Sequence, residues 1–441
     1  MDWSRLPDVA AVALLTCAFA SAAKRGQTID SGVWLVGWLM VVLHFVAFMF
    51  DGMTGLVGTT AMFIGLCALA WAGLLFTWAA VPYRNRLSSR WMLGIMVGTN
   101  TLYLALTSFA PQAAWALSFS AILFGAFPLI VTVVTFRTTN FPQRWLIVLI
   151  YCSLSGFLLA FQNRPGNGAN LALNAVFCTV YLGACIHFSY TYRRATTGAF
   201  ITITGFFAWA LVFVAGPLTQ AYLPDLHLQD EVWNLPKYLV AVGMILLLLE
   251  EQIDHNKYLA LHDDLTGLPN RRLFQDRLSS ALERARRFGT QAALLLVDLD
   301  HFKNVNDTFG HHTGDLVLAR VGAVLSGRVR RSDTVARTGG DEFSIVLEEP
   351  TSRQDAENVC NSLMQLLAEP LTVDQHTVTV GASVGLAIFP DDASNSESLC
   401  IAADLRMYSE KYGSRDAHDQ QQPAPPNEGA NGEKGQASLA T

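Results

Sequence analysis

The first half of this chain is a succession of apolar stretches, at residues 9–23, 33–50, 55–81, 91–110, 113–135, 145–161, 169–190, 199–217 and 232–249. Most approach the ~20 residues that a helix needs to cross a bilayer, where every backbone polar group has to be satisfied within the segment itself. With 51% hydrophobic and only 15% charged residues among 441, the composition is too apolar for an ordinary soluble protein, and the excess sits in this half. The pattern predicts an α-helical polytopic membrane domain over residues 1–249, with about nine spans. The first and last segments are the weakest: 9–23 is short, and 232–249 is interrupted by Asn234, Pro236 and Lys237.

Loop charge checks that number, because Lys and Arg accumulate in short cytoplasmic loops. Alternate loops hold Lys24 and Arg25; Arg84, Arg86 and Arg90; Arg137 and Arg144; and Arg193 and Arg194. The opposite loops hold little beyond Arg5, Arg164 and Lys237, and the last of them carries Asp225, Asp230 and Glu231. This places the N-terminus outside and the polar C-terminal half in the cytoplasm, in a multi-pass protein of the inner (cytoplasmic) membrane. Ala20-Ser21-Ala22 resembles a leader cleavage site, but cleavage would leave an even number of spans and put the C-terminal half outside. An uncleaved first span is preferred, with eight spans as the main competitor.

The seven cysteines are scattered without a Cys-x-x-Cys or zinc-type spacing, so neither a disulfide framework nor a cysteine metal site is indicated. Net charge is −6 and no block of Lys and Arg marks a nucleic-acid footprint, so nucleic acid is not an expected partner; membrane lipid is. Polar groups inside spans are costly and single out His44, His187, Asn100 and Asn174. A histidine bonded to a neighbouring helix is commoner than a ligand site, and nothing in the sequence says that these residues meet. No internal repeat of the transporter kind is visible.

From Leu246 a continuous helix is expected to leave the membrane through a linker at 250–262, with Leu246, Leu249, Ile253, Asn256 and Ala260 spaced as a short coiled-coil seam suited to a homodimer. A compact domain at 263–415 follows. Its pattern predicts helices near 272–288, 314–330, 353–367 and 396–411, strands at 292–299 and 378–388, and a hairpin at 334–347: an α/β sandwich. The Gln/Pro/Gly/Ala-rich tail, 416–441, reads as disordered.

Within that domain, Arg337-Thr338-Gly339-Gly340-Asp341-Glu342-Phe343 puts two glycines and two adjacent acids at a hairpin tip, and Gly-Gly is expected to supply the positive φ of a tight turn. Asp341 and Glu342 would face opposite sides of the departing strand. Val297-Asp298-Leu299-Asp300-His301-Phe302-Lys303 places acids and a lysine where a buried strand ends. If the hairpin lies on the neighbouring strand, Asp298 and Asp341 can share Mg²⁺, a hard ion that prefers oxygen ligands, and Lys303 faces phosphate as a point charge. A solvated strand end and a plain turn have the same composition, so neither motif decides alone.

Several separated motifs do so together. Asp264-Leu265-Thr266-Gly267-Leu268-Pro269-Asn270-Arg271-Arg272, then Asp298 to Lys303 with Asn306-Asp307, Gly310-His311 with Gly314-Asp315, Gly339 to Phe343, and Ala403-Asp404 with Tyr408 and Lys411 occur in the order found in GGDEF domains. The stretch from about residue 258 to 415 thus resembles the catalytic domain of diguanylate cyclases.

The resemblance implies a palm-like α/β GGDEF fold that binds one GTP per domain and, as a dimer, condenses two GTP into cyclic di-GMP and two pyrophosphates. It implies that Asp298, the Leu299 carbonyl and Asp341 hold Mg²⁺, or alternatively Mn²⁺, and that Asn306 and Asp315 read guanine. Lys303, Lys411 and Arg415 would neutralise triphosphate charge, Glu342 would be the further acid near the attacking hydroxyl, and Gly339 and Gly340 would let the backbone approach phosphate. Arg330 and Asp333 match the family's Arg-x-x-Asp product-inhibition site, where cyclic di-GMP would bind; a helix-end salt bridge is the plainer reading. Ser414-Arg415-Asp416 replaces the usual Gly-Arg-Asn, and Arg406 and Glu410 replace small residues. The alternative class is a degenerate GGDEF domain, a nucleotide-binding regulatory module; a third reading is a transporter with a cyclase attached.

Overall fold

Segments that are apolar on every face cannot be surface helices of a soluble domain, and in the computed structural model they form a helical bundle instead. The structure describes residues 2–26, 29–80, 87–134, 144–192, 196–225, 230–349, 352–374 and 376–419. Arg84, Arg86, Arg137, Arg193, Arg194 and the tail beyond 419 lie outside them. The chain divides into two units, Met1–His255 and Asn256–Thr441.

In the first unit, a 3₁₀ turn at Trp3–Arg5 leads into α1 (Leu6–Gly26), α2 (Ile29–Phe48), α3 (Leu56–Ala79), α4 (Leu87–Phe109), α5 (Ala114–Val134), α6 (Arg144–Phe161), α7 (Gly168–Thr191), α8 (Thr197–Tyr222) and α9 (Asp230–Leu261), whose end beyond His255 belongs to the second unit. Among the described residues, eight helices are long and apolar enough to cross a membrane; the apolar run of the remaining one, α6, is the shorter Trp145–Phe161. The sequence pattern pointed to the first and last segments as weakest, yet both are full-length helices. The polar residues of 232–249 turn inward, leaving Asn234 and Lys237 buried.

Helices α1 and α9 run side by side in the same direction. Near their starts Asn234 Nδ2 donates to Asp8 Oδ2 at 2.8 Å and Tyr238 OH donates to Asp8 Oδ1 at 2.6 Å; farther along, Gln252 Nε2 donates to the Ala22 carbonyl at 2.7 Å. Val12 and Phe19 of α1 are buried in the same apolar cluster as Trp34, Phe76, Phe206 and Met244. The flagged polar residues bond locally: His44 Nδ1 meets the Gly65 carbonyl at 3.0 Å, His187 Nδ1 meets Gly183 at 2.9 Å on its own helix, and the Asn100 and Asn174 amides donate to Met96 and Asn170.

The second unit comprises α10 (Arg271–Phe288), β1 (Ala292–Asp300), α11 (Phe302–Phe309), α12 (His311–Arg328), β2 (Thr334–Arg337), β3 (Glu342–Glu348), α13 (Arg353–Ala368), β4 (Leu371–Val373), β5 (His376–Val378), β6 (Gly381–Phe389) and α14 (Ser396–Asp419). The main sheet has the order β2-β3-β1-β6, all antiparallel, and β4-β5 is a separate hairpin. β1 is central and buried on both faces, which explains its unbroken Ala-Ala-Leu-Leu-Leu-Val run. Leu295, Val297 and Leu299 face Val317, Val321 and Leu363 of α12 and α13. Ala292 and Leu294 face Phe274, Leu278 and Leu399 of α10 and α14.

Three expectations are corrected here. The segment after Asp300, where the sequence pattern offered no element before 314, holds a helix: His301 turns the chain at φ 56° and α11 follows, closed by Gly310. The expected strand at 378–388 is split between β5 and β6. The helix near 314–330 starts earlier, at His311, because Gly310 breaks α11 from α12 at that point.

Candidate active site

The open end of β1 gathers the acids. Strand register sets Asp298 opposite Glu342 of β3 and opposite Ser383 of β6, and residues directly opposed in a sheet project from the same face. Asp298 and Glu342 are therefore neighbours on the α10/α14 side. Asp341 is not a strand residue but the bend before it, and its carbonyl accepts the Leu299 N–H at 3.2 Å, tying the tip to β1. Asp298 is buried, Asp341 half-buried and Glu342 exposed. Lys411, reaching over from α14, places Nζ 2.6 Å from Asp298 Oδ1. Beside them Ser383 Oγ donates to Asp300 Oδ1 at 2.8 Å.

The hairpin tip differs from expectation in one respect. Gly339 and Gly340 are not among the residues with positive φ, so the turn does not need glycine for its backbone angles. A Cβ at 339 would sit 2.6 Å from Oε2 of the exposed Glu342 side chain, which would have to swing aside, whereas at Gly340 it would meet nothing. Gly339 thus lets the Glu342 carboxylate fold back over the turn, and Gly340 leaves its backbone open to an approaching group.

A residue that sequence reasoning treated only as a strand flank holds this tip in place. Arg337 Nη1 lies 3.0 and 3.1 Å from the two carboxylate oxygens of Asp263, while Nη2 and Nε donate to the Gly340 carbonyl at 2.7 and 3.1 Å. Asp263 also accepts the N–H and the hydroxyl of Thr266. Burial opposes its charge, but the Thr266 bonds and the Arg337 guanidinium outweigh that and hold the Asp263 carboxyl below the usual carboxylate range. The partner that Asp263 finds 74 residues on carries no sequence signature.

Of the expected nucleobase readers, one is packed between α11 and α12. Asn306 is half-buried on α11, and a Cβ at Gly314 of α12 would overlap its Oδ1; Asp315 follows, exposed. Lys303 is exposed on the first turn of α11. The side chain of Arg415 lies outside the described residues. Arg330 and Asp333 meet only through the backbone: Asp333 Oδ2 accepts the Arg330 N–H at 2.8 Å and Oδ1 accepts the Glu348 N–H at 3.0 Å, which leaves the Arg330 side chain exposed.

The two substitutions near the end of the domain acquire structural roles. Arg406 makes two bonds of 2.8 Å to Asp392, which Arg353 also contacts at 3.0 Å. The Arg406 guanidinium, foremost, holds Asp392 well below the ordinary carboxylate range. Glu410 accepts the Val384 N–H of β6 at 2.9 Å.

The donor set fits a hard divalent cation in one particular way. Among the described residues no three His, Cys, Asp or Glu side chains form a closed metal cage. Mg²⁺, however, is commonly held by one or two carboxylates with nucleotide phosphates completing the shell. In this structure the Asp298 carboxylate is paired with the Lys411 ammonium, and its second oxygen is the one left to a metal ion.

Comparison with known proteins converges on the same segment. Residues 260–417 match the family described as diguanylate cyclase, GGDEF domain. The bifunctional diguanylate cyclase/cyclic di-GMP phosphodiesterase MucR of Pseudomonas aeruginosa is 43% identical over 162 residues, 36% of this chain and 23% of that protein. The diguanylate cyclase TpbB of the same organism is 40% identical over 157 residues, 35% of this chain and 36% of that one. The crystal structure of the TpbB GGDEF domain is 38% identical, covering 34% of this chain and 92% of that one with a TM-score of 0.33. The chain thus spans about a quarter to a third of the length of these curated relatives. Residues 260–417 of this chain belong to the GGDEF domain family of diguanylate cyclases.

Proposed function

We propose that the protein is a membrane-bound diguanylate cyclase that condenses two GTP into cyclic di-GMP and two pyrophosphates. The observation that carries this reading is the register of Asp298 against Glu342 beside a tip left open at Gly340, within a GGDEF domain. In each half-reaction the 3′-hydroxyl of one GTP attacks the α-phosphorus of the other. A phosphodiester bond forms, the α–β phosphoanhydride bond breaks, pyrophosphate leaves and the hydroxyl gives up its proton. No group is assigned as the base.

Asp298, the Leu299 carbonyl and Asp341, with Glu342 beside Asp298, would hold Mg²⁺ or Mn²⁺, which when bound supplies charge to the phosphate oxygens. Lys411 and Lys303 add fixed positive charge near the departing pyrophosphate, Arg415 being placed with them by the family pattern, and Asn306 with Asp315 orient guanine. Two half-reactions need two domains, so the active form is a homodimer, favoured by Leu249 and Ile253, which are exposed on α9. Exposed Arg330 and the backbone-fixed Asp333 support a product-inhibition site for cyclic di-GMP.

The bundle is read as embedded in the inner membrane with the GGDEF domain in the cytoplasm. Its outer surface is apolar, with Ile122, Val133, Leu149, Phe200 and Leu218 exposed, as lipid contact requires. The parallel course of α1 and α9 supports nine crossings, because with α6 left out the two would run in opposite directions. Chromatographic assay of full-length protein in nanodiscs with GTP tests the function: cyclic di-GMP is expected with Mg²⁺ and absent with a chelator. GTP binding without product in a demonstrated dimer would favour the regulatory-module reading.

A further inference from the structure

A buried lysine in a spanning helix demands compensation, and Lys237 has it in a small polar network. Its Nζ lies 2.5 Å from Asn234 Oδ1 and 4.7 Å from the Phe45 ring of α2. Asn234 passes the interaction on to Asp8 of α1, whose second oxygen is held by Tyr238. Every member on α9 lies within one turn of Pro236, which has no N–H and so leaves one bond of the helical ladder unmade at that point. The printed bonds of Asn234 and Tyr238 both end on the Asp8 carboxylate, so the network connects α9 to α1 directly, a feature of a lock between helices.

A second grip acts on the same two helices. Gln252 to Ala22 lies 14 residues beyond Tyr238 on α9 and 14 beyond Asp8 on α1, both pairs being separated by 230 residues in sequence. The nearby Glu250 carboxylate accepts the Gly198 N–H of α8 at 3.1 Å. Equal spacing on both helices means that the two grips fix one axial register. A shift of α9 past α1 breaks both, and α9 continues to Leu261.

We propose that Asp8, through Asn234 and Tyr238, is the outer lock that sets the register of α9, and that its release changes the exit segment 250–261 and with it the output of the GGDEF domain. Only the output part rests on the cyclase reading. The test is amide hydrogen exchange on full-length protein in nanodiscs, with cyclic di-GMP formation measured in parallel, for wild type, Asp8→Asn, Tyr238→Phe and the lipid-facing control Val242→Leu. Asp8→Asn is expected to raise exchange over 230–240 and 250–261 by about tenfold and to change output by about threefold or more, with Tyr238→Phe in the same direction and the control silent. Unchanged exchange over 250–261 in both lock variants overturns the proposal, as does altered exchange with unaltered output. If Asp8→Asn loosens every helix, Tyr238→Phe, which keeps the ring, decides. A wild type that makes no cyclic di-GMP overturns the cyclase reading instead, and exchange still decides the lock.

Discussion

At the scale of single residues, the site depends on side chains that are absent as much as on those present. Gly314 carries no chemistry, yet it is where the Asn306 carboxamide lies. Gly314→Val should push Asn306 aside and weaken GTP binding by about tenfold or more, the scale of one lost hydrogen bond to a base. Helix content should be unchanged. Calorimetric titration with a non-hydrolysable GTP analogue measures this, and affinity equal to wild type would separate Asn306 from guanine recognition. The residue types of the site were legible in the sequence because carboxylates at a strand end and a glycine-rich tip are local patterns. The backbone of the tip was not: positive φ was the natural expectation for Gly-Gly, and in the structure neither glycine has it, while the Glu342 carboxylate folds back over Gly339. Likewise Arg406 and Glu410 looked like departures from a pattern, and their partners Asp392 and Val384 become visible only when α14 lies against β6.

At the scale of elements, Asp263 and Arg337 join the turn after α9 to the hairpin between β2 and β3. Because the Asp263 pKa is lower in the fold than in the unfolded chain, its charge contributes stability that is fully present above about pH 4, the unfolded value, and is lost as pH falls through the folded one. Asp263→Asn should therefore speed amide exchange of β3 relative to wild type at pH 7, by about 1 kcal/mol of local stability for a partly exposed pair. The two proteins should converge as pH falls below about 4. A difference that persists at low pH would mean that the carboxylate charge is not the source. Long periodic elements such as α10, β1 and α13 were readable from the sequence within a residue or two. α11 was missed because it is eight residues long with only Phe302 and Val305 buried, too few for a periodic signal, and the β4-β5 hairpin was missed, apart from Val378, because three-residue strands carry no alternation.

At the scale of the whole molecule, hydropathy revealed the bundle and misjudged which helix was marginal. Window composition penalises Asn234 and Lys237 for being polar, but burial against Asp8 and Phe45 is a matter of tertiary partners that no window contains. The same residues that weakened the last span in the sequence are those that connect it to the first. At this scale the proposed chemistry, nucleotide condensation, is assigned to the acids at the end of β1. The measurement that tests it most directly is the initial rate of cyclic di-GMP formation by full-length wild type and Asp298→Asn at saturating GTP and Mg²⁺. Asn keeps the shape but not the charge, so the rate should fall by about a hundredfold or more, with guanine-nucleotide binding retained through Asn306 and Asp315. A variant that forms cyclic di-GMP at the wild-type rate would contradict the assignment of this strand end as the active site.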